Sequence, residues 1–405
     1  MKIGLTIRTF YPKSGGLQAH AENLINALRS QGHEVVVLTW TISRTPTYHD
    51  FLFISEPIFK SKINGIEVYC LRHFRVTNII TWLISKCIVR SQFQSLGFLL
   101  LNLLFIRQAI SAFENVEIIH HIGQAHELIG FIAATVASQF RIPFVISPTV
   151  HPKQWGDSAF DLLLYRQALR LLVFTKYEAE SLRNLGLSQP FDIVGSGIDG
   201  QVIGHADLFR QLHGIKGSII LFLGRKTTDK GYFLLREAFA LLRQQRSDIT
   251  LVCMGPTASS LKLDPSQEGV LELDFGSEQD KHDALAACNV VCVPSEGEAF
   301  GLVYMEAGRY SKAIIARRLP VLDELLGEKD AALLLGTPYG EGNQVSLSPE
   351  ELMDGITRLL DNPQRIKELG ENAFKVSENF IWSQVVERFE TAYRHALDKN
   401  YSNEF

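Results

Sequence analysis

A short apolar run that stops at glycine and reopens as a helix limits this chain to few architectures, because such a unit wants a strand, a crossover helix and a parallel neighbour. At the N-terminus, Ile3 to Ile7 reads as a buried strand, Gly15-Gly16-Leu17-Gln18-Ala19-His20 opens a helix through Leu28, and Gly32 to Leu38 supplies the next strand. That is one βαβ unit. The order recurs where Leu221-Phe222-Leu223 meets Gly224 and a helix start at Gly231, and where Asn289 to Val293 passes Pro294, Gly297 and Gly301 into another helix. With 405 residues and about 150 per domain, two or three domains are expected. The reading is α/β, with two Rossmann-like halves and a boundary near residue 195. Gly195-x-Gly197-x-x-Gly200 formally matches a dinucleotide fingerprint, but no apolar helix follows it and no acidic residue stands on a second strand about twenty residues later.

The third junction carries chemistry. Glu298 and Glu306 straddle it, one in the loop and one expected about two turns into the helix, on one flank. Backbone N–H groups from Ala299 to Leu302 point out of the helix start with the positive end of its dipole behind them, which makes an anion site suited to a diphosphate. Two carboxylate acceptors beside a phosphate cradle suit a nucleotide sugar, whose hydroxyls donate on either side of an anion. The bland alternative is two glutamates on a solvated helix face. A second element, Gly224-Arg225-Lys226-Thr227-Thr228-Asp229-Lys230-Gly231, places Arg225 and Lys230 at a strand exit.

Composition excludes several classes. Apolar residues at 46% and charged residues at 21% are ordinary for a globular chain, and the net charge of −4 argues against bulk nucleic-acid binding. Of the five cysteines, Cys253, Cys288 and Cys292 fall in apolar runs, as buried thiols in a reducing compartment would. No signal peptide is read at the N-terminus, so a cytoplasmic protein is expected, at the inner face of the membrane if it meets one. No Asp-x-Asp triplet and no close His/Cys spacing suggests a metal, and no metal or other cofactor is expected.

With these residues in place, the chain resembles the family-4 glycosyltransferases, retaining enzymes of the GT-B fold. The resemblance spans nearly the whole chain. It implies that Glu298 contacts the donor sugar, that Glu306 contacts the nucleotide ribose, and that the amides of Phe300 and Gly301 contact the diphosphate clamped by Arg225 and Lys230. It implies that Gly15 and Gly16 face the donor across a deep interdomain cleft. The implied domains are an acceptor-binding 1–195, a nucleotide-sugar-binding 196–380, and a C-terminal helix in 381–405 returning to the first, seeded by Phe380 to Phe389. Histidines His120 and His121, with His126 and His151 as second choices, stand where the family often carries one near the reacting carbon. The expected partners are a nucleoside diphosphate sugar (UDP or GDP) and a glycan, lipid-linked or small-molecule acceptor. The alternatives are an inactive sugar-nucleotide-binding subunit or a GT-B epimerase or phosphorylase.

The chain departs from the family after Glu306, where Ala-x-Ala-x-Gly-x-Pro is replaced by Ala307-Gly308-Arg309-Tyr310-Ser311-Lys312-Ala313. Asn289 also stands where aspartate is common, and Gly195-Ser196-Gly197 replaces Pro-Asn-Gly.

From Lys60 to Arg107 seven cations face one acid, Glu67, amid much apolar sequence. The longest uncharged run, Ser91 to Ile106, has 16 residues, short of the ~20 needed to span a bilayer. Two readings follow, a peripheral contact with an anionic membrane through residues 60–107, or two helices packed on the first sheet.

Overall fold

Strands covered on both faces read as continuous apolar runs rather than alternating ones, and such runs form the centres of two sheets. The computed structural model describes residues 1–10, 16–41, 59–201, 203–257, 267–274, 276–338 and 345–401. The chain divides into two units, Met1–Gly197 with Trp382–Phe405, and Ile198–Ile381.

The first unit begins with β1 (Lys2–Thr9), α1 (Gly16–Ser30), β2 (Glu34–Thr41), β3 (Lys60–Ile63), β4 (Ile66–Cys70), α2 (Arg75–Val89) and α3 (Gln94–Ala112). It continues with β5 (Ile118–Ile122), α4 (Ile129–Phe140), β6 (Phe144–Ser147), α5 (Ala159–Tyr165), β7 (Arg170–Val173), α6 (Lys176–Asn184) and β8 (Phe191–Ile193). Its strands order as β3-β4-β2-β1-β5-β6-β7-β8, parallel except for the β3/β4 hairpin. Because β2 lies on one side of β1 and β5 on the other, the winding of the sheet reverses between β1 and β5.

The second unit comprises α7 (Ala206–His213), β9 (Ser218–Leu223), α8 (Tyr232–Gln245), β10 (Ile249–Met254), β11 (Val270–Leu273), α9 (Glu278–Ala287), β12 (Val290–Val293) and α10 (Leu302–Arg309). It closes with β13 (Ala313–Arg317), α11 (Pro320–Leu325), β14 (Leu333–Leu335), the short antiparallel β15 (Thr337–Pro338) and β16 (Val345–Ser346), α12 (Pro349–Leu360) and α13 (Pro363–Glu378). Its six-stranded sheet runs β11-β10-β9-β12-β13-β14, all parallel. Here the winding reverses between β9 and β12, with Leu221 paired to Val291. That register sets the two motif loops side by side at the C-terminal edge.

The last helix, α14 (Trp382–Tyr401), belongs to the first unit. It buries Val385, Val386, Phe389, Ala392, Tyr393 and Ala396 at helical spacing. A Cβ at Gly197 would lie 2.2 Å from the Trp382 ring, so only glycine lets the indole close over the backbone there. Among the five cysteines, Cys70, Cys253, Cys288 and Cys292 are buried free thiols, and burial pushes the Cys288 thiol up to about 12.

Candidate functional site

The geometry of the second unit follows from two glycines. Gly231 ends the loop after β9 with φ +72, and a Cβ on it would sit 2.3 Å from the Pro294 carbonyl oxygen. Gly301 ends the loop after β12 with φ +86, and a Cβ there would meet the Tyr304 ring at 2.5 Å. Both positions need the left-handed backbone that glycine adopts without strain. The close approach lets the Glu296 N–H donate to the Asp229 carbonyl at 2.8 Å, so the loops are stitched together by their backbones. Tyr304 then holds the strand end from below, its hydroxyl donating to the Val293 carbonyl at 2.7 Å.

The expected donor-site residues converge on this seam. Lys230 donates from Nζ to Oε1 of Glu298 at 2.7 Å, with 21% and 9% of the two side chains exposed. Arg225 is more open, 59% exposed, and its guanidinium reaches Asp229 at 3.2 Å. Between them Lys226 turns the other way into the unit, fully buried, with Nζ 3.0 Å from Glu272 and 2.9 Å from the Leu273 carbonyl. Of the three cations in the motif, Arg225 and Lys230 therefore stay at the seam.

The helix start also has the required form. Gly301 is the N-cap of α10 and no side chain caps the helix, so its first amides are not taken by a capping oxygen. Because the left-handed Gly301 delays the helix to Leu302, Glu306 is its fifth residue and lies just over one turn in, not the two turns expected from sequence. Lys281 on α9 holds the Glu306 carboxylate, Nζ to Oε1 2.8 Å, and also meets Glu278 at 2.6 Å. Burial opposes charge on this ammonium, but Glu306 and Glu278 outweigh it and keep the lysine protonated well above its usual range. Lys281 has no motif to announce it in sequence, since it comes from a different helix. Asn289, in place of the common aspartate, accepts from the Ile219 N–H at 2.9 Å and from Arg210 at 3.2 Å, and so ties β12 to β9.

The first unit places the two expected histidines inside its sheet. His120 and His121 are consecutive on β5, so their side chains leave opposite faces of the sheet, and both are fully buried. The His120 ring bonds the Tyr393 hydroxyl and the Ser147 hydroxyl, each at 2.9 Å, while His121 Nδ1 meets the Thr6 hydroxyl at 2.7 Å. Burial holds His120 well below the ordinary imidazole range and lowers His121 to about 3. Each ring is enclosed within the first unit, His120 under Tyr393 of α14 and His121 on the other face against Gly130 of α4. Of the second choices, His126 is 60% exposed just after β5, 4.0 Å from Asp161, and His151 stacks on Trp155 with ring centroids 3.8 Å apart. A further histidine, His20 on α1, bonds Ser196 at 2.7 Å and is lowered to about 4 by burial.

Gly15 lies outside the described residues. Gly16 opens α1, and a Cβ on it would meet nothing within 4 Å among the described residues, which do not themselves demand glycine there. Among the described residues, no group of three or more His, Cys, Asp or Glu side chains is placed to hold a metal ion.

Two family models tile the chain. The one described as glycosyltransferase family 4 matches residues 14–202, and the one described as glycosyl transferases group 1 matches residues 207–376. A D-inositol 3-phosphate glycosyltransferase from Catenulispora acidiphila is 28% identical over 307 residues, 67% of this chain and 71% of that protein. A lipopolysaccharide 1,2-N-acetylglucosaminetransferase from Salmonella typhimurium is 27% identical over 196 residues, 45% of this chain and about half, 49%, of its own length. Among solved structures, Anabaena HepE in complex with UDP-glucose superimposes with a TM-score of 0.72 at 16% identity, covering 98% of this chain and all of that one.

Proposed function

We propose, from the premise that this chain belongs to the family-4, group 1 glycosyltransferases of the GT-B fold and is an enzyme, that it transfers a sugar from a nucleoside diphosphate sugar with retention of configuration. The observation that carries the reading is the seam between the loops after β9 and β12, where Lys230 meets Glu298 at 2.7 Å beside an uncapped helix start.

In this reading the diphosphate displaces Glu298 from Lys230 and lies between Lys230, Arg225 and the amides of Ala299 to Leu302. Charge grows on the leaving oxygen as the glycosidic bond breaks, and cations and amides already aimed at that oxygen stabilise it without reorganising. The freed Glu298 accepts from hydroxyls of the donor sugar, and Glu306, steadied by Lys281, accepts from the ribose. The clamp is built from protein cations, which suits a donor site that works without a divalent ion. Because HepE was solved with UDP-glucose, a uridine donor is the first to test.

The acceptor falls to the first unit. His126, exposed at the end of β5, takes the place proposed for a histidine near the reacting carbon once His120 and His121 are buried. Gly16 supplies backbone that a ligand can approach closely.

The test is a thermal-shift screen against UDP-, GDP- and ADP-sugars in EDTA, with release of free sugar followed in parallel. Stabilisation by one nucleotide with slow sugar release supports the reading and names the base. No stabilisation by any nucleotide removes it.

A further inference from the structure

The helices α2 and α3 form a hairpin with two unlike faces. One face is core: α2 buries Asn78, Thr81, Ile84 and Ile88, and α3 buries Gly97, Leu101, Phe105, Ala109 and Ala112. A Cβ on Gly97 would lie 2.5 Å from the Ile88 side chain, which shows how closely the two helices pack. The opposite face should be polar if it met water. Instead it carries Val76, Ile79, Ile80 and Leu83 from α2, and Leu96, Leu99, Leu100 and Leu103 from α3, all exposed. Of the 20 exposed large apolar side chains among the described residues, 12 lie between Phe74 and Leu103, so the exposure is concentrated and not scattered.

The charges around this face have one sign. Arg72, Arg75, Lys86, Arg90 and Arg107 are exposed, and no acid occurs between Glu67 and Glu114, in a chain whose net charge is −4. Lys86 sits 5.6 Å from the Trp82 ring, an aromatic and ammonium pair suited to a headgroup boundary. A second copy of this chain would bring these cations against their own symmetry mates, which disfavours self-association through this face. The described length of α3 changes the bilayer argument made from sequence. The helix continues through Arg107 to 19 residues, long and apolar enough to cross a membrane by composition, with 28% of the stretch buried. Its inner face is committed to the folded unit, with Phe105 edge-on to Trp40 at 4.8 Å and Phe98 against Phe131 at 4.7 Å. It can therefore lie on a bilayer but not cross one without unpacking the unit.

We propose that the α2–α3 hairpin seats this protein on an anionic phospholipid surface, with the leucine stripe of α3 and the Ile79/Leu83 face of α2 entering the headgroup boundary and Arg75, Lys86 and Arg90 meeting lipid phosphates. Docking stands apart from the donor chemistry. Its consequence, an acceptor presented at the lipid surface, rests on the transfer reading.

The experiment is flotation of the full chain with vesicles of phosphatidylcholine containing phosphatidylglycerol, against pure phosphatidylcholine, with light scattering of the protein alone. Two variants accompany it, Leu99→Asp with Leu103→Asp, and Arg75→Gln with Lys86→Gln and Arg90→Gln. All these positions are exposed, and a cooperative thermal melt of each variant at the wild-type temperature reports that it is folded. The wild type is expected to float with the anionic vesicles and to detach as salt rises. The charge variant should lose roughly a hundredfold in partition and the leucine variant roughly tenfold or more. Equal flotation with neutral vesicles, no flotation with either, or variants that float like the wild type would overturn the proposal. So would a dimer that the leucine variant dissolves without any vesicle binding. Flotation without nucleotide binding would leave docking standing and remove the transfer reading, while the converse would do the reverse.

Discussion

Lys230 and Glu298 come from loops 68 residues apart and meet at 2.7 Å, so the cation and the carboxylate proposed for the donor neutralise each other. If this partly buried ion pair opens for a ligand, its two partners should behave oppositely on mutation. Lys230→Ala removes charge from the leaving group and should lower kcat/KM by roughly a hundredfold to a thousandfold. Glu298→Gln releases the ammonium, and should bind the nucleoside diphosphate at least as tightly as the wild type while transferring more slowly. Calorimetric titration beside initial rates distinguishes them; parallel losses of affinity in both variants would mean that the pair does not open.

Lys281 is expected to act through Glu306 and not on the reacting atoms. Lys281→Met should leave Glu306 without its 2.8 Å partner and raise the donor KM about tenfold with a smaller change in kcat, the pattern of lost binding shared by ground and transition states. A fall in kcat with KM unchanged would place Lys281 in the chemical step.

Gly16→Ala separates fold from function. Among the described residues no atom lies within 4 Å of the added Cβ, so melting temperature should hold or rise slightly while turnover falls if a ligand packs against that backbone. The control is Gly231→Ala, where φ +72 and the Pro294 carbonyl at 2.3 Å forbid the methyl group, and stability should drop by about 2–4 kcal/mol. Unchanged turnover in Gly16→Ala would remove the close approach.

Acid should unfold the first unit early. His20 and His121 titrate at about 4 and about 3 when folded, and His120 well below its ordinary value, each because burial opposes the charged ring. Each lowered imidazole contributes stability that is present above the unfolded pKa of about 6.5 and lost as pH falls toward the folded value, on the order of 1.4 kcal/mol per pH unit per ring. Glu127 runs the other way: burial raises it to about 7, so its contribution is present below about 4.5 and lost as pH rises through 7. Three rings outweigh one carboxyl, and melting temperature should fall from pH 6.5 to pH 5. A flat or rising profile over that window would mean that these rings are not held neutral.

The two strand-to-helix junctions after β9 and β12, and the glycines that end both loops, were legible because backbone constraints leave a local trace: Gly231 and Gly301 are where only glycine fits. Lys281 was not, because its partner lies 25 residues away on another helix and lysine on a helix face is unremarkable until α9 and α10 pack together. The burial of the histidines was not legible for the same reason. His120 looks like a strand-end ligand in sequence, and only α14, through Tyr393 at a separation of 273 residues, covers it. The hairpin was half legible: its basic and apolar content shows in sequence, but which leucines face outward depends on where Gly97 lets α2 and α3 touch.

The most direct measurement is calorimetric titration of a nucleoside diphosphate, UDP first, into the wild type and into the Arg225→Ala, Lys230→Ala double variant, both in EDTA. The expected result is saturable binding to the wild type that survives the chelator and weakens roughly a hundredfold or more in the variant. Equal affinity in a folded variant, or binding that EDTA abolishes, would contradict a donor site built from the clamp at the β9/β12 seam.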